Sequence, residues 1–451
     1  MTSQATAAVI LAAGQGTRMR SALPKVLHPL GGRPMIAHVR ATLTALAAAK
    51  VVVVTAPEGT AVVAAAAPAI GVVQDPPLGT GHAVQAALPA LGGFEGDVLV
   101  LYGDTPLVSE ATLRAMLERR RAGAAVVVLG FRPADPAAYG RLVTGTDGRL
   151  LRIVEFREAS ADERAIMLCN SGVMAIEGRH LAALLGRLDN ANAKGEYYLT
   201  DIVRHANEAG LEAGFVEGDA EEVFGVNSRA ELAAAEAILQ RRLRRAALEN
   251  GVSMTDPDSV HLSWDTGLGR DVTIEPNVFF APGVSVADNV VIRAFSHLEG
   301  CVIESGATVG PFARLRPGAR IGPEAHIGNF VEVKNGQIEA GAKVNHLSYI
   351  GDARVGAKAN VGAGTITCNY DGFGKYRTDI GAGAFIGSNT ALVAPVAIGD
   401  GAIIGAGSTI AADVPAGAVA LTRAPQETRP DRAERFRERA RARAKAAKGK
   451  S

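Results

Sequence analysis

Residues 274–333 read IEPNVFFAPGVSVADNVVIRAFSHLEGCVIESGATVGPFARLRPGARIGPEAHIGNFVEV, and an apolar side chain returns every six positions. The series is Ile274, Phe280, Val286, Ile292 and Leu298, then, after a slip of one residue, Ile303, Val309, Leu315, Ile321, Ile327 and Val333. Six is the period of neither an α-helix nor an isolated strand. It assigns one face of a prism to each hexad, with one apolar residue pointing inward from it. The pattern predicts a parallel β-helix. It resumes at Ile380, Ile386, Leu392, Ile398, Ile404 and Ile410, often with glycine next, as in IGPEAH at 321–326 and IGDGAI at 398–403. Between the Val361 and Ile380 coils stands TCNYDGFGKYRTD, 367–379, which must be extruded as a loop if the coils on either side stay in order. Its Asn, Tyr, Lys and Arg content points to function rather than to a tolerated insertion.

Upstream the rhythm is different. Apolar runs at 7–13, 51–55, 97–104 and 124–130 alternate with helical stretches at 34–48, 80–91, 109–121 and 201–209. Uninterrupted apolar strands alternating with helices predict a mostly parallel sheet covered on both faces. Residues 228–250 contain no breaker and are rich in Ala, Leu, Glu and Arg, which predicts a long linking helix stopped by Gly251. The expected division is therefore 1–227, 228–250 and 251–451.

Composition narrows the function classes. A chain of 451 residues exceeds one ordinary domain, and 47 Lys+Arg against 46 Asp+Glu lacks the basic excess of a general nucleic-acid binder. Aromatics at 5% beside 52 glycines suit tight, repeated turns. Cys169, Cys301 and Cys368 are an odd number without close spacing, so neither a disulfide framework nor a CxxC metal knuckle is expected. Charges and Pro57 interrupt the longest apolar stretch, and the N-terminus lacks a basic leader, so neither a membrane span nor a signal peptide is expected. The expected location is cytoplasmic. The basic stretch from Arg423 onward is expected to be a solvated, partly helical or disordered end.

The first strand runs into AGQGTRM at 13–19, followed by LPK at 23–25. Glycines after a strand let backbone N–H groups approach phosphate, and Arg18 and Lys25 add a forked donor and a point charge. Two glycines alone are weak, since neither a third glycine nor the GK[ST] of a P-loop is present. LAAGQGTRM at 11–19 nevertheless resembles the signature of sugar-nucleotide pyrophosphorylases. Further motifs stand in that family's order: Gln74, LGTGH at 78–82, YGD at 102–104, YGR at 139–141, IVE at 153–155, NSG at 170–172 and GVN at 225–227. With RLRPG at 314–318, NFVEVK at 329–334, NHLSY at 345–349 and NVGAGT at 360–365, the chain resembles the bacterial bifunctional N-acetylglucosamine-1-phosphate uridylyltransferase/glucosamine-1-phosphate N-acetyltransferase family, as far as Arg423.

That resemblance implies a Rossmann-like nucleotidyltransferase domain, a linking helix and a left-handed β-helix of hexapeptide repeats. It implies a homotrimer with acetyltransferase sites shared between neighbouring β-helices. The implied substrates are UTP, glucosamine 1-phosphate, N-acetylglucosamine 1-phosphate and acetyl-CoA. Asp104 and Asn227 would hold Mg²⁺, and Arg18 and Lys25 the phosphates. Leu11, Ala12, Ala13, Gly14, Tyr102 and Gly103 would line the nucleotide site, with Gln74, Gly79 and Thr80 on the base. Gly140, Glu155 and Asn170 would line the sugar pocket. In the other half His346 would be the base, Arg316, Lys334, Tyr349 and Asn360 would bind the sugar phosphate, and Ala363, Asn369, Tyr370, Ser388, Ala406 and Arg423 acetyl-CoA. Glu332 would orient His346.

Duller roles compete at single positions: Asp104 as a turn cap, Gln74 as a loop residue, Asn227 as a helix cap. Rival functions are a pyrophosphorylase with a non-catalytic β-helix, a non-enzymatic regulatory subunit, and a zinc carbonic anhydrase using His297, His326 and His346.

Overall fold

In the computed structural model, residues 4–14 and 16–448 are described; Gln15 of the glycine-rich loop and residues 449–451 of the basic end lie outside them. The chain forms two units, Met1–Glu249 with His261–Thr266, and Asn250–Val260 with Gly267–Ser451.

The first unit is built on a sheet whose strands run in the order Ala213–Gly218, Val126–Phe131, Cys169–Glu177, Asp97–Tyr102, Thr6–Ala12, Lys50–Thr55, Ile70–Val73. Thr6–Ala12 lies parallel to both neighbours, with Ala7 opposite Lys50 and Val98. Alternate side chains of these strands leave on opposite faces. Val9, Val52 and Val100 pack with Val84, Leu181 and Ile202 from helices on one face. Ala8, Ile10, Val53 and Leu99 pack with Ile36, Val39, Leu113 and Met116 on the other. The expected helices are present as Met35–Ala45, Thr80–Leu91, Glu110–Arg121 and Asp201–Glu208.

One strand departs from the parallel expectation. Cys169–Glu177 runs antiparallel to both neighbours, and Arg141–Thr144 with Leu150–Val154 forms an antiparallel arm beside it. An apolar run buried on both faces records burial, not direction. Helix Arg229–Glu249 packs within the first unit, its Ile238 and Ala235 clustering with Leu30, Met35, Leu107 and Val226. Its Gln240 amide donates to the Leu262 carbonyl (2.7 Å) and accepts from the Leu262 N–H (2.9 Å), which ties His261–Thr266 to the same unit. Gly251, just past the helix, has φ of 93°.

The second unit is three parallel sheets of 10, 8 and 8 short strands, consecutive coils adding one strand to each. All the inward positions read from the hexads are at most 3% exposed. They stack in columns, such as Ile274 on Ile292, Val309, Ile327 and Val344. Where Thr367 enters a column, its hydroxyl accepts from Gly351 N–H (2.7 Å) and donates to Gly351 carbonyl (3.1 Å), so no polar group is left unpaired. The insertion does leave the barrel, but its first and last residues belong to strands Ile366–Cys368 and Thr378–Ile380. Its tip, Phe373, is 98% exposed. The basic end forms helix Arg432–Lys448. Among the described residues, no helix is long and apolar enough to cross a membrane.

Candidate active sites

The ends of strands Thr6–Ala12 and Asp97–Tyr102, and the segments that follow them and strand Ile70–Val73, line a cleft of about 270 Å³. Leu11 and Ala12 line it from the end of the first strand and Ala13 and Gly14 from the loop after it, with Gln74, Tyr102, Asp104, Gly79, Thr80 and Lys25 completing the walls. The crevice at the carboxyl ends of parallel strands is where open α/β sheets place ligands. Two glycines make the walls possible. Gly16 has φ of 61°, and a Cβ there would stand 2.7 Å from the Cβ of Lys25. Gly79 has φ of 105°, and a Cβ there would stand 2.7 Å from the Tyr197 carbonyl oxygen.

The Lys25 ammonium sits at the centre of the charge arrangement. It is paired with the Asp104 carboxylate and donates to the Asn227 side-chain oxygen at 2.9 Å. The turn-cap and helix-cap roles for these residues fall away. Ser228 and Glu231 cap the following helix instead: the Ser228 hydroxyl accepts from Glu231 N–H (3.2 Å), and the Glu231 carboxylate accepts from Asn227 N–H (2.8 Å). Asp104 and Asn227 therefore present two hard oxygen donors to one point, and their donor chemistry fits Mg²⁺. Among the described residues no group of three or more His, Cys, Asp or Glu forms a metal cage, so substrate oxygens and water would fill the other positions. Arg18 is exposed on its loop.

Gln74 is buried, and its amide nitrogen faces the Gly79 carbonyl (2.9 Å) and His82 Nδ1 (3.2 Å). Its amide nitrogen thus props the loop, so the paired donor and acceptor expected for a base edge reduce to the carbonyl oxygen. Burial, and after it the charges of Asp104 and Glu155, push the Tyr102 phenol above its ordinary range. Asn170 N–H donates to Gly140 carbonyl (2.8 Å), and Asn170 Oδ1 accepts from Gly172 N–H (2.9 Å). Glu155 faces Thr200 at 3.5 Å, and burial raises its pKa against the pull of Lys194.

In the second unit, His346 Nδ1 lies 2.6 Å from Asn329 Oδ1, its neighbour one coil earlier. An amide oxygen there selects the tautomer with hydrogen on Nδ1 and leaves Nε2 as the base. Glu332 does not orient this imidazole; it pairs with Arg316 at 2.9 Å. Lys334 and Lys375 face each other, and Lys334 pushes the Lys375 ammonium below the usual lysine range. Burial works against ionising the nearby Asp352, but hydrogen bonds from Asn335 and Asn369 and the two lysine charges outweigh it and hold its pKa low. A third group forms a file along successive coils. The Ala363 carbonyl accepts from Asn389 N–H (2.7 Å), the Ser388 carbonyl from Gly407 N–H (2.8 Å), and the Ala406 carbonyl from Arg423 Nη1 (2.8 Å). Asn369 and Tyr370 stand outside that file: Asn369 donates to Asp352 (2.5 Å) and the Tyr370 hydroxyl to Gly372 carbonyl (2.7 Å).

Residues 8–190 match the MobA-like NTP transferase domain family, and residues 300–335 and 377–412 match the bacterial transferase hexapeptide (six repeats) family. The chain is 60% identical to the bifunctional protein GlmU of Paramagnetospirillum magneticum over 97% of this chain and 98% of that one. It is 63% identical to the bifunctional protein GlmU of Rhodospirillum rubrum over 96% of this chain and 97% of that one. The chain belongs to the GlmU family. Its second unit is accordingly a left-handed β-helix of hexapeptide repeats.

Several residues beside the candidate sites escaped sequence reasoning. Glu196 and Pro77 line the first cleft. The signal for Glu196 was the acidic-aromatic run GEYYLTD at 195–201, which has no periodicity. Asn329 and Lys375 lay inside stretches already singled out, yet their partners become visible only when coils are stacked.

Proposed function

We propose that the two units divide the two-step synthesis of UDP-N-acetylglucosamine. The second unit transfers acetyl from acetyl-CoA to the amine of glucosamine 1-phosphate. The first transfers uridylyl from UTP to the resulting N-acetylglucosamine 1-phosphate and releases pyrophosphate. The observation that carries this reading is the meeting of Lys25, Asp104 and Asn227, the first two of which line a cleft together with Leu11, Ala12, Ala13 and Gly14.

In the first unit, Arg18 and Lys25 hold the triphosphate, and Gln74 accepts from the uracil N–H. Gly140, Glu155 and Asn170 position the sugar so that its phosphate oxygen attacks in line. Asp104 and Asn227 would hold Mg²⁺, which when bound would neutralise charge developing on the phosphates. In the second unit, His346 Nε2 takes a proton from the amine. The nitrogen attacks the thioester carbon, and a backbone N–H near Ala363 holds the oxyanion. The C–S bond then breaks, and the proton on His346 goes to the CoA sulfur. Lys334 and Arg316, with Tyr349 and Asn360, bind the sugar phosphate; the paired Lys334 and Lys375 support an anion there. Ser388, Ala406 and Arg423 lie along the CoA chain, and Asn369 and Tyr370 approach it from the extruded loop.

The assembly is a cytoplasmic homotrimer. Association is supported by an exposed ladder in which Phe295, Phe312 and Phe330 stack at 4.9 and 5.0 Å, Phe312 and Phe330 lining one groove with His346. Contiguous exposed apolar patches mark interaction sites.

The testing experiment follows free CoA thiol on mixing the protein, acetyl-CoA and glucosamine 1-phosphate, with glucose 1-phosphate and glucosamine 6-phosphate as control acceptors. Release with glucosamine 1-phosphate alone is expected. No release from protein that still makes UDP-sugar reduces the β-helix to a scaffold.

A further inference from the structure

We infer, on the reading of Asp104 and Asn227 as the magnesium ligands, that Lys25 is the resident cation of that site in the metal-free protein and competes with the metal for it. The ammonium reaches both oxygens at once, pairing with Asp104 and donating to Asn227 at 2.9 Å. These are the two groups a divalent cation would take. Two cations cannot share them without strong repulsion at close range.

The surroundings make the occupancy effective. The Lys25 and Asp104 side chains are 12% and 18% exposed, so the pair is poorly screened by water. Among the described residues, no other Lys or Arg forms an ion pair with Asp104. Without Lys25 this largely buried carboxylate would stand uncompensated, which is strongly unfavourable.

The stem of Lys25 is fixed while its end is free to swing. Lys25 opens the short turn Lys25–Leu27, and its Cβ lies against Gly16, where a Cβ would stand at 2.7 Å. A compact point charge on a flexible chain can turn from these oxygens to a phosphate in the same cleft, which a rigid guanidinium fork does less readily. The exchange couples the two ligands. UTP draws Lys25 onto its phosphates and frees the site for the metal, so metal binds weakly without nucleotide and tightly with it.

Binding of Mn²⁺ alone, read by water-proton relaxation, tests this in the full-length protein. Lys25→Met, which keeps the stem and removes the charge, is expected to bind Mn²⁺ about tenfold more tightly than wild type without nucleotide, since a charge-assisted contact no longer has to be broken. Lys25→Arg restores a competing cation and is expected to return affinity to the wild-type range. Equal or weaker binding by Lys25→Met overturns the inference. Lys25→Gln carries the same expectation if thermal melting shows that Lys25→Met does not fold. Asp104→Asn separates the two possible failures. If it binds Mn²⁺ like wild type in the presence of UTP, the metal-ligand reading itself is wrong. If it loses that binding while Lys25→Met gains none, only the resident-cation role is wrong.

Discussion

The two units assemble chemistry in opposite ways. In the first, Lys25 reaches Asp104 and Asn227 across separations of 79 and 202 residues, and Lys25 and Asp104 line one cleft. In the second, the pairs His346–Asn329, Arg316–Glu332 and Asn369–Asp352 are separated by 17, 16 and 17 residues, one coil each. The sheet gathers distant segments to a point, whereas the β-helix lays its groups out rung by rung. A substitution in the cleft should disturb a coupled cluster, and one on the β-helix a single rung.

The largest effect should therefore come from Asp104→Ala. It leaves Lys25 without its counter-ion and removes the only carboxylate of the proposed metal pair. Uridylyl transfer should fall by at least about a thousandfold, with acetylation within twofold of wild type. Equal loss of both activities would break the comparison. His346→Ala is the converse on the β-helix: acetylation should fall by about 10²–10⁴-fold, the usual contribution of a general base, with uridylyl transfer unchanged. Near-normal acetylation would remove His346 as the base.

The next effect sharpens how the cleft is walled. Gly79→Ala forces a side chain to adopt φ of 105° and puts a methyl 2.7 Å from the Tyr197 carbonyl oxygen. It should destabilise the protein by about 1–3 kcal/mol in urea melts and raise the KM for UTP. A silent substitution would mean that the 78–81 loop is not held against 196–199.

The same contrast explains what could be read before folding. Hexads report inward positions directly, because each coil repeats its neighbour; Ile274 to Val333 and Ile380 to Ile410 were legible for that reason. Continuous apolar runs located four strands of the first unit, Thr6–Ala12, Lys50–Thr55, Asp97–Tyr102 and Val126–Phe131, whereas the antiparallel Cys169–Glu177, which carries the polar Asn170 and Ser171 near its start, was not among them. Motifs marked Lys25, Asp104 and Asn227 without showing that Lys25 lies between the other two. Gln74 was marked as a base-binding amide, yet its nitrogen is engaged by Gly79 and His82. Glu332 was expected to orient His346, yet it pairs with Arg316. Asn329 holds that place because register across coils, not nearness along the chain, decides who touches whom.

Asn329→Ala makes that distinction measurable. It leaves the base but removes the acceptor that fixes its tautomer, so the kcat of acetylation should drop about tenfold with the acceptor KM unchanged. Glu332→Gln should instead raise the KM for the sugar phosphate by freeing Arg316. If the two phenotypes are exchanged, Glu332 orients the imidazole after all.

The smallest effect concerns Glu155, where site and stability oppose each other. Burial is the main reason its folded-state pKa lies above that of an unfolded glutamate, about 4.3; Lys194 and a hydrogen bond from Thr200 offset this only in part. Between the two values the folded protein binds more protons than the unfolded chain, so stability falls as pH rises through that window. The contribution is complete below the unfolded value and is lost as pH climbs through the folded one. Glu155→Gln no longer titrates. It should therefore melt above wild type at pH 7.5, with the gap narrowing toward pH 4. Its KM for N-acetylglucosamine 1-phosphate should rise several-fold, since an anionic acceptor binds sugar hydroxyls more strongly than an amide. A gap that instead widened toward acid would mean that Glu155 is stabilised as a carboxylate, and that the sugar side of the cleft is wetter than its packing implies.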